Sequence, residues 1–234
     1  MTTKKSPETG HESMLKTPVS SLSRRKFLGY VGASSAILAT ASIVSCKKEN
    51  NNDGVNLGSG DVGILNYAYA LEQLEAAFYV KVISSLYSGI TATEQAFLTD
   101  IRDHEVAHRN FFKAAITAAG ATPIPDLQVD FSSVDFGNRA SVLGTAKAFE
   151  DLGVTAYNGA GKLLVSSAYL TIAGKIVSVE ARHAALIADL ISNGTFADTT
   201  NSNGLDMART PAEVLAIADT YIVTKINASN LPTS

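Results

Sequence analysis

The sequence of 234 residues contains no tryptophan and a single cysteine, Cys46. A lone cysteine cannot pair within the chain, which excludes an internal disulfide. The apolar run at 30–44 is shorter than the roughly 20 residues that a membrane-spanning helix needs. The overall composition, 46% hydrophobic and 18% charged, fits one globular domain of ordinary size with additional segments.

Basic residues are also scarce once the N-terminal segment is set aside. Residues 1–45 hold six of the 19 basic and two of the 22 acidic residues, so the rest of the chain has a formal net charge of −7. A protein that binds nucleic acid concentrates positive charge on one face, and no such basic stripe remains. The charge balance therefore argues against nucleic acid as a partner.

The N-terminal segment has the parts of an export signal in their usual order. A polar, basic start leads to SRRKFLG at 23–29, and the apolar run follows. The pair Arg24 and Arg25, followed by Phe27 and Leu28, resembles a twin-arginine signal, whose pathway carries folded proteins across the membrane. We therefore predict a signal peptide at 1–45 and an exported protein.

Cys46 closes the apolar run in the segment SIVSC, which looks like a bacterial lipoprotein processing site. A lipid on Cys46 would tether the protein to a membrane without embedding it. The alternative is a small residue near an ordinary cleavage point. The residues that follow are polar and rich in asparagine and glycine, so we predict a flexible linker at 46–60.

Four long segments have the apolar periodicity of helices, at 61–86, 91–120, 139–164 and 169–193. The first two and the last two are joined by short links, which favour antiparallel neighbours, whereas about 20 residues separate the second from the third. Thr210, Pro211 and Glu213 have the spacing of a further helix start. This pattern predicts an all-α four-helix bundle at 61–194 with one long crossover, and a C-terminal extension at 195–234 with a short helix.

Two of the predicted helices carry the motif Glu-x-x-His. The motif comprises Glu105 and His108 in the second helix and Glu180 and His183 in the fourth. Residues three apart converge on one side of a helix. Both pairs lie on apolar stripes, so we expect the four side chains to point into the bundle.

The other two helices each add a glutamate to an apolar stripe, with a tyrosine seven residues later. These residues are Glu72 with Tyr79 and Glu150 with Tyr157. The chain thus contains the same half twice, and two matching hairpins would meet about a pseudo-twofold axis. Glu75 is an alternative to Glu72, but the residue seven positions after Glu75 is Val82, so the spacing from glutamate to tyrosine favours Glu72.

Four carboxylates and two imidazoles in an apolar core need neutralising partners, because one buried unpaired ion costs several kcal/mol. Two divalent cations supply four positive charges. Oxygen ligands with one imidazole for each ion favour iron or manganese, in a mixed pair as well as a uniform one. Zinc is the alternative, although it prefers fewer ligands in a tetrahedron.

These residues resemble the ferritin-like di-iron carboxylate superfamily, over roughly residues 61–194. The resemblance implies six metal ligands: Glu72, Glu105, His108, Glu150, Glu180 and His183. It also implies that Tyr79 and Tyr157 hydrogen-bond ligand carboxylates, which makes both tyrosines candidate catalytic residues. Many members have an acid immediately before the paired glutamate, where this chain has His104 and Val179. We expect His104 to face a groove or solvent.

With its twin-arginine or lipoprotein leader, the chain looks most like the exported bacterial ferritin-like proteins that are related to desiccation-associated proteins. The resemblance implies a redox-active di-iron or manganese protein that reacts with peroxide or dioxygen in oxidative stress protection. The expected partners are those oxidants, a reductant, the membrane through the lipid on Cys46, and further copies of the chain in a homo-oligomer. The alternative is a non-enzymatic envelope stress protein with a structural metal site; iron storage in a hollow shell is a third reading.

Overall fold

The computed structural model of this chain describes residues 53–233. The predicted signal peptide at 1–45 and the processing site at Cys46 lie outside the described residues. The elements in chain order are β1 (Val55–Asn56), α1 (Gly60–Ser84), α2 (Ala92–Ala118), α3 (Arg139–Gly161), α4 (Ser167–Ile191), α5 (Pro211–Ala218) and β2 (Ile226–Asn227). Among the helices at 53–233, none is both long enough and apolar enough to cross a membrane.

The four long helices form two antiparallel hairpins, α1 with α2 and α3 with α4. The hairpin connections at 85–91 and 162–166 are short, whereas the connection at 119–138 runs between the hairpins. The prediction of an all-α bundle with one long crossover and a short C-terminal helix is confirmed. The departures within the described residues are the two-residue parallel pair of β1 with β2 and an isolated antiparallel bridge between Val129 and Ile222.

Side-chain caps set where three of the long helices begin. Thr91 and Glu94 form the expected capping box at the start of α2, and the Asn138 side chain accepts two backbone N–H bonds at the start of α3. The Ser166 hydroxyl accepts the N–H of Tyr169, so α4 begins two residues earlier than predicted. These caps satisfy backbone donors that a helix leaves unpaired.

Helix α1 is buried on nearly every side because the crossover covers the face that the other helices leave open. Two buried amides hold the crossover in place: Asn66 Oδ1 accepts the N–H of Ile124 at 3.1 Å, and Gln73 Oε1 accepts that of Leu127 at 2.8 Å. The amides thereby keep their own polar atoms paired. The middle of α1, including its glutamates, is sealed from water.

The segment before α5 crosses α3 at close range. A Cβ atom on Gly159 would lie 1.7 Å from the Arg209 carbonyl oxygen, so glycine is required there. The Arg209 N–H donates to the carbonyl of Thr155 at 3.0 Å. Val214 and Ala218 of α5 are then buried against the bundle. The C-terminal extension is therefore packed onto the helical domain.

Candidate metal centre

The structure brings all six residues of the predicted site together in the middle of the bundle. Their donor atoms form two groups, and within each group every atom lies within 4.8 Å of the others. The first group is Glu72, Glu105, His108 and Glu180; the second is Glu105, Glu150, Glu180 and His183. Glu105 and Glu180 belong to both groups, so these two carboxylates are shared between them.

Each histidine lies closest to the paired glutamate of the opposite hairpin. His108 Nδ1 is 2.9 Å from Glu180 Oε1 but 3.5 Å from Glu105 Oε2 on its own helix. His183 Nδ1 is 2.9 Å from Glu105 Oε1 but 3.9 Å from Glu180 Oε2 on its own helix. The two hairpins therefore contribute to the centre in the same way, as their repeated sequence pattern suggests.

The two tyrosines also reach across the bundle. The Tyr79 hydroxyl donates to Glu150 Oε1 at 2.5 Å, and the Tyr157 hydroxyl donates to Glu72 Oε1. Along the sequence each tyrosine shares a helix face with the glutamate seven residues before it. In the structure its hydroxyl instead donates a hydrogen bond to the lone glutamate of the other hairpin. Each bond occupies one carboxylate oxygen and leaves Oε2 for the centre.

The six residues leave eight buried donor atoms without a hydrogen bond. These atoms are Oε2 of Glu72 and Glu150, both oxygens of Glu105 and Glu180, and Nδ1 of His108 and His183. An unsatisfied buried polar atom costs about 1–3 kcal/mol, and the ion-pair contacts of the two imidazoles, at 2.9–3.9 Å, set only two positive charges against four carboxylates, so further cations would stabilise the group. Oxygen and imidazole donors converging in this way fit a pair of metal ions.

A family profile for the ferritin-like domain matches residues 60–193, more than half of the chain. The chain belongs to the ferritin-like family. The match spans both hairpins and with them the whole candidate centre. Among proteins with curated functions, none matches the chain significantly.

In this ferritin-like bundle the imidazoles and carboxylates of the candidate centre form ion pairs. Burial lowers the pKa of His108, but contacts with Glu105 and two further carboxylates outweigh burial and raise that pKa to about 12. The same balance, with Glu105 again first among the carboxylates, raises the pKa of His183 to about 10. The raised pKa values favour the protonated imidazoles at neutral pH, where they balance part of the negative charge of the glutamates.

Metal binding is consequently expected to release protons. A coordinated Nδ1 carries no proton, whereas His108 and His183 each carry an additional one at pH 7. Binding of a metal pair should release at least about two protons per chain, and the affinity should rise with pH because both pKa values lie above neutrality. Calorimetric titration in buffers of different ionisation enthalpy counts these protons, and a count of zero would contradict the assignment of the imidazoles as ligands.

A fifth glutamate, Glu75, lies beside the ferritin-like centre. Its side chain is 3% exposed and its Oε2 makes no hydrogen bond, yet it belongs to neither donor group. A Cβ atom on Gly153 would lie 3.0 Å from Glu75 Oε1 and 3.6 Å from Glu180 Oε2, so this glycine leaves room for both carboxylates. Burial, and then the charge of Glu180, raise the pKa of Glu75 well above its usual range.

From the sequence, Glu75 is only an alternative to Glu72, whereas the structure buries both side chains. Glu72 is the one that joins a donor group and accepts the tyrosine hydroxyl. The signal for the second acid was present, since two glutamates three apart in an otherwise apolar helix lie on neighbouring positions of one face. The sequence pattern does not show that the core has space for a fifth carboxylate, because that space depends on Gly153 of another helix.

His104 contacts the centre from outside. Its Nδ1 lies 2.9 Å from Nε2 of His183, and the two rings are within 11° of parallel with centroids 5.1 Å apart, so they meet edge to edge. The His104 side chain is exposed, as expected, but it also contacts His183, which is one of the predicted metal ligands. The corresponding position in α4 is Val179, which has no polar side-chain atom. The two halves of the centre therefore differ at this position.

Proposed function

We propose that this ferritin-like protein holds two iron or manganese ions between its hairpins and uses them to react with peroxide or dioxygen. The observation that carries the proposal is the pair of overlapping donor groups, whose eight buried atoms have no hydrogen bond. A structural site for one ion needs neither shared carboxylates nor a second imidazole. Two shared glutamates support a pair of ions that act together.

The buried carboxylates favour divalent cations that prefer oxygen ligands. Four carboxylates balance two such ions. Burial, and then the charge of Glu180, raise the pKa of Glu75, which favours its uncharged form. Carboxylate oxygens with one imidazole for each ion favour iron(II) and manganese(II), whereas zinc sites are usually tetrahedral with four ligands. When bound, such a pair supplies electrons to an oxidant.

The residues of this chain would hold the ions and exclude bulk water. Glu105 and Glu180 are placed to bridge, and Tyr79 and Tyr157 position the two outer glutamates through their hydroxyls. Burial, followed by the nearby glutamates, raises the pKa of both hydroxyls well above the usual range, so each stays a donor at physiological pH. A phenol in contact with a ligand carboxylate is also placed to lend an electron.

The leader supports action outside the cytoplasm. A twin-arginine route exports folded proteins, so the centre could be filled before export, and a lipid on Cys46 would keep the protein in the cell envelope. We propose a protective role there against oxidants. Fractionation of cells that express the full chain and Cys46→Ser tests this placement: the variant should leave the membrane fraction, and an unchanged distribution would contradict the lipid anchor.

The reaction is tested with protein loaded anaerobically with iron(II). Peroxide or dioxygen is added, and metal oxidation is followed by absorbance together with the loss of oxidant. Fast oxidation followed by repeated turnover with a reductant supports the proposal. Zinc-loaded protein is the control, because zinc has the same charge and no redox chemistry. Iron that stays inert towards both oxidants would instead show a structural metal site.

A further inference from the structure

An apolar pocket lies directly beside the candidate centre, at the end of the bundle where α1 and α4 begin and α2 and α3 end. All sixteen residues that line it are aliphatic, aromatic or glycine. Its cavity volume, for a molecule the size of water, is about 30 Å³. One water molecule needs roughly 10–15 Å³ on this measure, so the pocket has room for a molecule somewhat larger than water, such as a diatomic gas.

The inner wall of the pocket is the layer that covers the first donor group. Leu71 precedes Glu72 in α1, and Phe112 follows His108 by one turn of α2. Tyr157 belongs to both places, because its ring lines the pocket and its hydroxyl donates to Glu72. Tyr157 thus contacts both the pocket and Glu72, so the pocket adjoins the residues that surround the first donor group.

The outer wall reaches the protein surface. Phe111, Leu164, Tyr169 and Ile172 line this part, and each is only partly buried. These side chains are held mainly by apolar contacts, whose small motions occur within nanoseconds where side chains are exposed. The pocket thus connects solvent with the covering layer of the centre.

The chemistry of the walls decides what the pocket can hold. Water needs two to four polar partners, and the Tyr157 hydroxyl is already engaged by Glu72. The Tyr67 hydroxyl is buried without a hydrogen bond, and Tyr169 belongs to the partly exposed outer wall, so the inner part of the pocket offers fewer polar partners than a water molecule needs. Peroxide is as polar as water and would lose its hydrogen bonds here. Apolar cavities stay dry and take up apolar molecules such as xenon.

We infer that this pocket binds dioxygen and supplies it to the metal position formed by Glu72 and His108. The inference rests on the proposed function and narrows it, because dioxygen would have a dedicated apolar entry that peroxide does not share. Dioxygen is small and apolar, and it needs no hydrogen bond from the walls. Peroxide would reach the centre by another path.

Xenon tests occupancy without any redox chemistry. In protein pressurised with xenon, the gas should be located between Leu65, Ala115 and Tyr157 by crystallography. Ala115→Leu should fill the pocket and remove the xenon, whereas Ala114→Leu, exposed on the same helix, should retain it. Absence of xenon from the wild-type pocket would overturn the inference.

Kinetics test the route. In iron(II)-loaded protein, Ala115→Leu should slow oxidation by dioxygen about tenfold, which corresponds to about 1.4 kcal/mol of barrier. Oxidation by peroxide should change less than about twofold, and Ala114→Leu should leave both rates unchanged. Ala68→Leu, which fills the pocket from α1, replaces Ala115→Leu if that variant fails to fold or to bind metal.

The outcomes separate this inference from the proposed function. Equal rates with dioxygen in the filled and unfilled proteins would show that the pocket is not the route, even with xenon bound. Equal slowing with both oxidants would contradict selective entry of dioxygen. Wild-type iron that reacts with neither oxidant would refute the proposed function, and with it the supply of dioxygen to the centre, while xenon would still report the pocket itself.

Discussion

Replacement of both His108 and His183 by alanine is expected to abolish uptake of the metal pair. Each imidazole is the only nitrogen donor in its group, and each Nδ1 is buried without a hydrogen bond. Without them the buried carboxylates also lose the two basic side chains that form ion pairs with them. Metal analysis after dialysis against iron(II) should fall from two ions per chain to none.

A matched control is available on the same helices. Arg109 and Arg182 are sequence neighbours of the two histidines but belong to neither donor group. Their double alanine variant should keep both ions. Circular dichroism establishes folding, and if the double histidine variant does not fold, each single variant should lose one ion. Full retention of both ions in folded histidine variants would show that the centre is not the metal site.

Replacement of His104 by alanine should weaken one metal position and spare the other. His104 holds Nε2 of His183 at 2.9 Å, which leaves Nδ1 for the carboxylate side. Loss of such an outer partner typically costs about 10–100-fold in metal affinity. Stepwise titration with cobalt(II), whose absorption reports its ligands, should separate the weakened position from the intact one.

Two further variants test whether the effect is specific to His104. Val179 has the corresponding place in the other half, and Val179→Ala should leave both affinities unchanged. His104→Asn offers an amide oxygen in place of Nδ1 and should recover much of the lost affinity. Equal weakening of both positions by His104→Ala would mean that the bundle was loosened as a whole, and would contradict a specific role for His104.

The fold was largely predictable because local patterns determine helices. The apolar periodicity of the four segments, the capping box at Thr91 and Glu94, and the two short links are all properties of neighbouring residues. Antiparallel hairpins then follow from link length. The predicted positions of the helix ends were less accurate. At α4, for example, the Ser166 cap places the start two residues earlier than predicted.

The candidate site was predictable to the extent that it repeats. The paired motif Glu-x-x-His and the tyrosine seven residues after each lone glutamate point to one core position in each half, and the structure brings these residues together. Glu75 and the contact of His104 with His183 depend on Gly153 and on the facing helix. No local pattern reports those neighbours.

Helix periodicity and burial are encoded by residues a few positions apart, so the amino-acid sequence alone predicts an all-α bundle of two similar hairpins with acids and imidazoles on their inner faces. The pairing of partners across the bundle is visible only in the folded chain: Tyr79 with Glu150, Tyr157 with Glu72, and each histidine with the paired glutamate of the other hairpin. These contacts join residues far apart in the chain, and packing of the whole core sets the height and rotation of one helix against another.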